Sequence, residues 1–93
     1  MPHHLEDNEG LSRYELIEDG RVLGVADYRV VGDVVVVPYT EVEPALRGNG
    51  LGVALVQGTL DAIRENGHSV VPQCSYVARF IAEHPDYQDL VAT

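Results

Sequence analysis

An α/β domain of order βββαβα is the fold class this sequence predicts: a mixed sheet, an antiparallel meander plus one parallel strand, covered by two helices. Three observations carry that expectation. The pairs Asp19-Gly20 and Gly32-Asp33 separate apolar-rich extended stretches, as hairpin turns do. Leu51, Leu55, Val56, Leu60 and Ile63 recur at helical spacing directly after a glycine cluster. A short apolar stretch at 69–72 and a second amphipathic run follow them. Length agrees: 93 residues make one small core, which buries on the order of 64% of the surface of the extended chain.

Taken in order, residues 1–10 are polar and acidic and read as a disordered arm, leaving 11–93 as a single domain. Residues 12–18 alternate and carry Tyr14, Leu16 and Ile17, which suits a strand. Residues 21–31 form the next strand, with Val22, Gly24, Ala26, Tyr28 and Val30 on one apolar face. Four consecutive valines at 34–37 open a third strand, apolar on both sides and so central. Pro38 interrupts that strand, because it lacks a ladder donor. It marks either a bulge or a point where the strand leaves a neighbour and opens a cleft. The helix that starts near Leu51 runs to Gly67, where a left-handed C-terminal residue belongs. Gly58, inside it, signals close approach to the sheet. The stretch 69–72 is a strand parallel to the third if the helix is a crossover. Residues 76–83 form the second helix, ended by His84-Pro85, and Asp86 is placed to cap a last turn through Leu90.

Composition excludes several functions. Six basic against fifteen acidic side chains give a net charge of −9, which disfavours nucleic acid and anionic membrane as partners. The single cysteine, Cys74, leaves no internal disulfide and no multi-thiolate metal site. His3 and His4, beside the N-terminus, make no metal spacing. No apolar run reaches membrane-spanning length and the first residues lack a leader pattern, so a cytoplasmic protein is expected.

The segment Arg47-Gly48-Asn49-Gly50-Leu51-Gly52 is the most informative. Glycines at alternate positions before a helix let backbone N–H groups converge on an anion, and the helix dipole adds to their field. A Walker A loop would end in Gly-Lys-Ser/Thr, whereas Gly52 is followed by Val53-Ala54. A dinucleotide fingerprint fails because position 53 is Val. An anion cradle and a loop that only turns the chain both remain.

The same six residues match the (Gln/Arg)-x-x-Gly-x-(Gly/Ala) motif of the GNAT superfamily of acetyl-CoA-dependent N-acetyltransferases, with Arg47, Gly50 and Gly52 in the motif positions. The chain resembles the short stand-alone members of that superfamily in three further segments: Thr40-Glu41-Val42-Glu43-Pro44, Val71-Pro72-Gln73-Cys74 and His84-Pro85-Asp86-Tyr87. The resemblance covers about residues 11–91. It implies acetyl-CoA bound between the third strand and the strand ending at Pro72. Tyr39, Thr40 and Val42 would run beside the pantetheine arm, and Arg47, Gly48, Asn49, Gly50, Leu51 and Gly52 would take the pyrophosphate. The implied activity is acetyl transfer to the amine of an acceptor, either a protein tail or a small amine, and the net charge of −9 is compatible with a cationic one. The alternative from another class is a non-catalytic CoA-binding or protein-interaction module with a vestigial transferase fold. Two departures bear on the choice. Asp19-Gly20 leaves no room for the helices that wall the acceptor site in larger members, and Tyr39 stands where many short relatives have His.

Amine acetylation needs a base, donors for the oxyanion and an acid for the departing thiolate. Glu41, on the strand that would flank the thioester, is the candidate base; an exposed carboxylate is the competing reading. Cys74 precedes a helix whose dipole favours thiolate, so it is a candidate nucleophile or partner in a mixed disulfide with CoA; a buried inert thiol competes. Tyr76 could protonate the leaving thiolate, against simple packing. His84 and Tyr87 read as docking residues of the C-terminal segment.

Overall fold

Asp19 and Gly20 both adopt positive φ, 52° and 76°, the backbone that a two-residue hairpin turn demands. They join β2 (Arg13–Glu18) to β3 (Arg21–Val31), and Gly32-Asp33 joins β3 to β4 (Val34–Val42). The computed structural model describes residues 3–48 and 50–92. Its remaining regular elements are β1 (His4–Asn8), α1 (Leu51–Glu65), β5 (Ser69–Pro72) and α2 (Ser75–Glu83). The five strands lie in sequence order in one sheet, antiparallel from β1 to β4, with β5 parallel to β4 through the α1 crossover. The expected meander, parallel strand and pair of helices are all present.

The N-terminal segment differs from expectation. Residues 4–8, read as part of a disordered arm, pair with β2 from His4↔Ile17 to Asn8↔Arg13. Leu5 packs against the cluster of Tyr14, Leu16, Ala26 and Leu55. A Cβ on Gly58 would lie 3.3 Å from Leu5 Cδ2, so the missing side chain in α1 makes room for this edge strand. Tyr28 donates to Asp7 across the sheet at 2.6 Å. The polar composition belongs to an edge strand whose other side chains meet water.

Two bulges correct the reading of β3. Register shifts between Leu16 and Ile17 and again between Asp27 and Arg29. Gly24 and Ala26 stay buried and Tyr28 half-buried, but Val22 and Val30 are exposed and Leu23 is buried instead. An extra residue in a strand reverses the alternation beyond it, which period-two reading cannot anticipate.

Val56, Leu60 and Ile63 of α1 and Val77, Phe80 and Ile81 of α2 share one core cluster with Val35, Val37 and Val70. Alternate strand positions therefore meet both helices. Gly67, at φ 74°, closes α1, and α2 ends before Pro85. The following 3₁₀ segment Pro85–Leu90 has His84, not Asp86, at its N-terminal flank, with no side-chain cap. Tyr87 donates to Asp61 at 2.7 Å, and Arg64 pairs with Asp89 at 3.1 Å, fastening this segment to α1. Among the described residues, no helix is long and apolar enough to cross a membrane.

Candidate functional site

The β4–β5 ladder ends at Val37↔Pro72, whereas β4 continues to Val42 with partners only on β3. Beyond Pro38 one edge of β4 therefore has no ladder partner among the described residues. Pro38 marks both events foreseen for it: a bulge towards β3 and the point where β4 and β5 part. Into the gap comes the glycine loop. Gly50, at φ 77° and ψ 5°, is the N-cap of α1 and supplies no side-chain cap for the first-turn N–H groups. Helix starts of this kind leave donors for an anion.

A cavity of about 390 Å³ lies between these elements. Of the residues singled out in the sequence, Thr40, Glu41, Val42, Arg47, Gly48, Gly50, Gly52 and Tyr76 line it. Tyr39, Leu51 and Cys74 do not, and Asn49 lies outside the described residues. Leu46, Val53 and Leu55 complete the wall and were not anticipated. Val53 did leave a signal: it is an apolar residue off the buried stripe of α1, and it is 44% exposed. No carboxylate among the described residues is in ion-pair contact with Arg47, so its charge is available at the cavity wall.

Gly52 matters through a neighbour. A Cβ there would stand 2.8 Å from the Tyr76 hydroxyl, so the phenol of α2 lies across the first turn of α1. Cys74 is the N-cap of α2, and its N–H donates to Val37 O at 2.9 Å. Its Sγ lies 3.4 Å from Thr40 Oγ1. Burial pushes the thiol up, but hydrogen bonding to the Thr40 hydroxyl and to the backbone of Val77, Tyr76 and Thr40 outweighs it and holds the thiol below its ordinary value. Part of that effect is the helix start foreseen for Cys74; the Thr40 contribution comes from another element.

Glu41 is not brought to Cys74. Tyr39 and Glu41 alternate with Thr40 and Val42 along β4, and Val42 packs on the cluster under α1. The Tyr39 phenol is pushed up, chiefly by hydrogen bonding towards Glu41, and both residues are exposed.

Comparison with known proteins agrees with this geometry. Residues 13–90 match the family model described as GCN5-related N-acetyl-transferase. The solution structure of a GCN5-like protein from Staphylococcus aureus superposes with a TM-score of 0.71 at 22% identity, over 96% of this chain and 87% of that one. The ribosomal-protein-S18-alanine N-acetyltransferase of Escherichia coli superposes with a TM-score of 0.62 at 20% identity, over 77% of this chain but only 50% of that enzyme. No curated protein matches.

Proposed function

Because the chain belongs to the GCN5-related N-acetyltransferase family, we propose that it binds acetyl-CoA in the cavity between β4 and α1 and transfers the acetyl group to an amine. The observation that carries this reading is the junction of a free strand edge with an uncapped helix start around one cavity. Both features suit the ligand. The first-turn amides of α1 and the Arg47 guanidinium would hold the pyrophosphate, and the backbone of β4 from Tyr39 to Val42 would pair with the amides of the pantetheine arm. When bound, acetyl-CoA supplies an activated acetyl thioester.

The chain's own groups then take distinct roles. Cys74, with its thiol held down by hydrogen bonds, is the nucleophile that takes the acetyl group. Tyr76, at the inner wall of the cavity, delivers a proton to the leaving thiolate. The amine then attacks the acetyl carbon on Cys74 from the Thr40 side, and the C–Sγ bond breaks as the amide forms, with the amine's proton passing to solvent. Glu41, whose side chain lies on the other face of β4, is not the base for this step. The resemblance places the acceptor-wall helices between the first two strands, which here are β1 and β2 rather than the pair joined by Asp19-Gly20. Only the 3₁₀ turn Glu9–Leu11 stands between them, so the acceptor side is open. That suits an exposed amine such as a protein tail; the Escherichia coli neighbour, by its name, acts on an alanine of ribosomal protein S18. The cytoplasm is its proposed location, since a lone, unpaired cysteine stays reduced there.

The test is thermal denaturation with acetyl-CoA, followed by thiol release over a panel of amines and peptides. Ligand at about 100 times its dissociation constant adds about 2.7 kcal/mol. Gly50→Val should lose that gain, because a β-branched residue resists left-handed backbone, at a cost of roughly 1–2 kcal/mol. No shift of the wild type at millimolar ligand would sink the reading. A shift without transfer to any acceptor would favour the non-catalytic module.

A further inference from the structure

We propose that Thr40 is a positioning residue for Cys74: its hydroxyl donates a hydrogen bond to the Cys74 thiolate, and the bulge at Pro38 aims it there. This rests on the reading of Cys74 as the nucleophile. Val35 and Val37 face the helices. Unbroken alternation would send Tyr39 and Glu41 inward after them and turn Thr40 away. Between the pairs Arg29↔Val36 and Asp27↔Tyr39, however, β4 advances three residues while β3 advances two. The extra residue reverses the pattern, so Thr40 points inward and Tyr39 outward.

At the same level the Cys74 N–H is fixed to Val37 O at 2.9 Å. The sulfur is thus held beside β4, with Thr40 Oγ1 at 3.4 Å. Thr40 also lines the 390 Å³ cavity, so one side chain touches both the ligand space and the sulfur. A β-branched side chain restricts χ1, which keeps the hydroxyl aimed. When the thiol ionises, its proton passes to solvent and Thr40 retains its own, donating it to sulfur. The backbone of Tyr76 and Val77, from α2, and that of Thr40 itself supply the other hydrogen bonds, which side-chain substitution at Thr40 leaves in place.

Charged side chains do not substitute for this contact. Glu41 is on the opposite side of β4, and β5 carries no charge. Arg79 and Glu83 of α2 are exposed, as are Asp61, Arg64 and Glu65 in the C-terminal half of α1. The Tyr76 phenol is the titratable group next to Cys74 on α2, and it rests over Gly52.

Cys74 is the sole cysteine, so alkylation reports it alone. Iodoacetamide labelling followed by intact mass, across pH, compares wild type, Thr40→Val and Thr40→Ser, each checked by thermal denaturation. Thr40→Val should move the inflection up by about half a unit to one unit and slow alkylation at neutral pH about three- to tenfold. Thr40→Ser should keep the wild-type profile. Should Thr40→Val fail to fold, Thr40→Ala replaces it with the same expectation. A valine or alanine variant with the wild-type profile overturns the proposal, and so does a serine variant shifted as far as valine. No acetyl-CoA enters this assay. A chain that never transfers acetyl leaves its result standing, and an unshifted profile leaves acetyl-CoA binding standing.

Discussion

Gly52 and Tyr76 meet across the cavity wall, and their contact makes the effect of one substitution depend on the other. Alanine in place of glycine in a helix gains about 0.8–1 kcal/mol of propensity. At Gly52 the new methyl would stand 2.8 Å from the Tyr76 hydroxyl, so the phenol must swing aside. Tyr76 is 42% exposed and has room to do so. Gly52→Ala should therefore be near neutral in the wild type, yet stabilise a Tyr76→Ala background by up to about 1 kcal/mol. Thermal denaturation of the four proteins measures the difference; equal effects in both backgrounds would show that the two residues do not interact. The glycine motif pointed to this loop, but nothing in its spacing revealed that a tyrosine 24 residues later leans on it.

At the scale of elements, β1 is held by one apolar side chain and a ladder. Leu5 sits where Gly58 opens α1, and it covers Tyr14 and Leu16 on β2. Leu5→Ala should cost about 2 kcal/mol or more, the low end for leucine truncation in a core, since Leu5 is only half-buried. Hydrogen exchange should show β1 amides protected in the wild type and fast in the variant. Rapid exchange of residues 4–8 in both would return this segment to the disordered arm that its composition suggested. Composition misled here because four of the five β1 residues are polar, and only Leu5 reaches the core. Gly58 was legible as a point of close approach, but its partner was not.

For the molecule as a whole, three phenols held above their ordinary value should set the alkaline limit of stability. Burial pushes up Tyr14, Tyr28 and Tyr87, aided by the hydrogen bonds that Tyr28 donates to Asp7 and Tyr87 to Asp61. A phenol whose folded value is raised contributes stability fully below its unfolded value of about 10. Above that pH the unfolded chain loses protons that the folded chain keeps, so stability falls as pH rises towards the folded values. Tyrosinate absorbance should therefore appear for these residues together with loss of ellipticity, and Tyr28→Phe should soften the loss. Titration of all five tyrosines near pH 10, with the fold intact, would contradict this. The same sign argument applies in acid to Asp89, which Arg64 holds below the usual carboxylate range. Its contribution is present above the unfolded value and fades as pH falls through the folded one, so Asp89→Asn should matter least in strong acid.

The sequence by itself determined the order of strands and helices from β2 onward, the two hairpin turns and the glycine-flanked start of α1. Each of those depends on local backbone preference or on a period of a few residues, which neighbours in the chain impose. The family resemblance rested likewise on short contiguous segments, from Thr40-Glu41-Val42 to His84-Pro85. Tertiary structure decided which way side chains point once a ladder gains a residue. Pro38 announced an interruption, but only the register of β4 against β3 turned the Thr40 side chain towards Cys74 and that of Glu41 away from it. It also decided that Leu46 and Val53 would join the cavity wall and that Cys74, not itself on that wall, would touch the lining residue Thr40. Contacts between residues dozens of positions apart depend on how the sheet twists and splays, and no single stretch of chain encodes that.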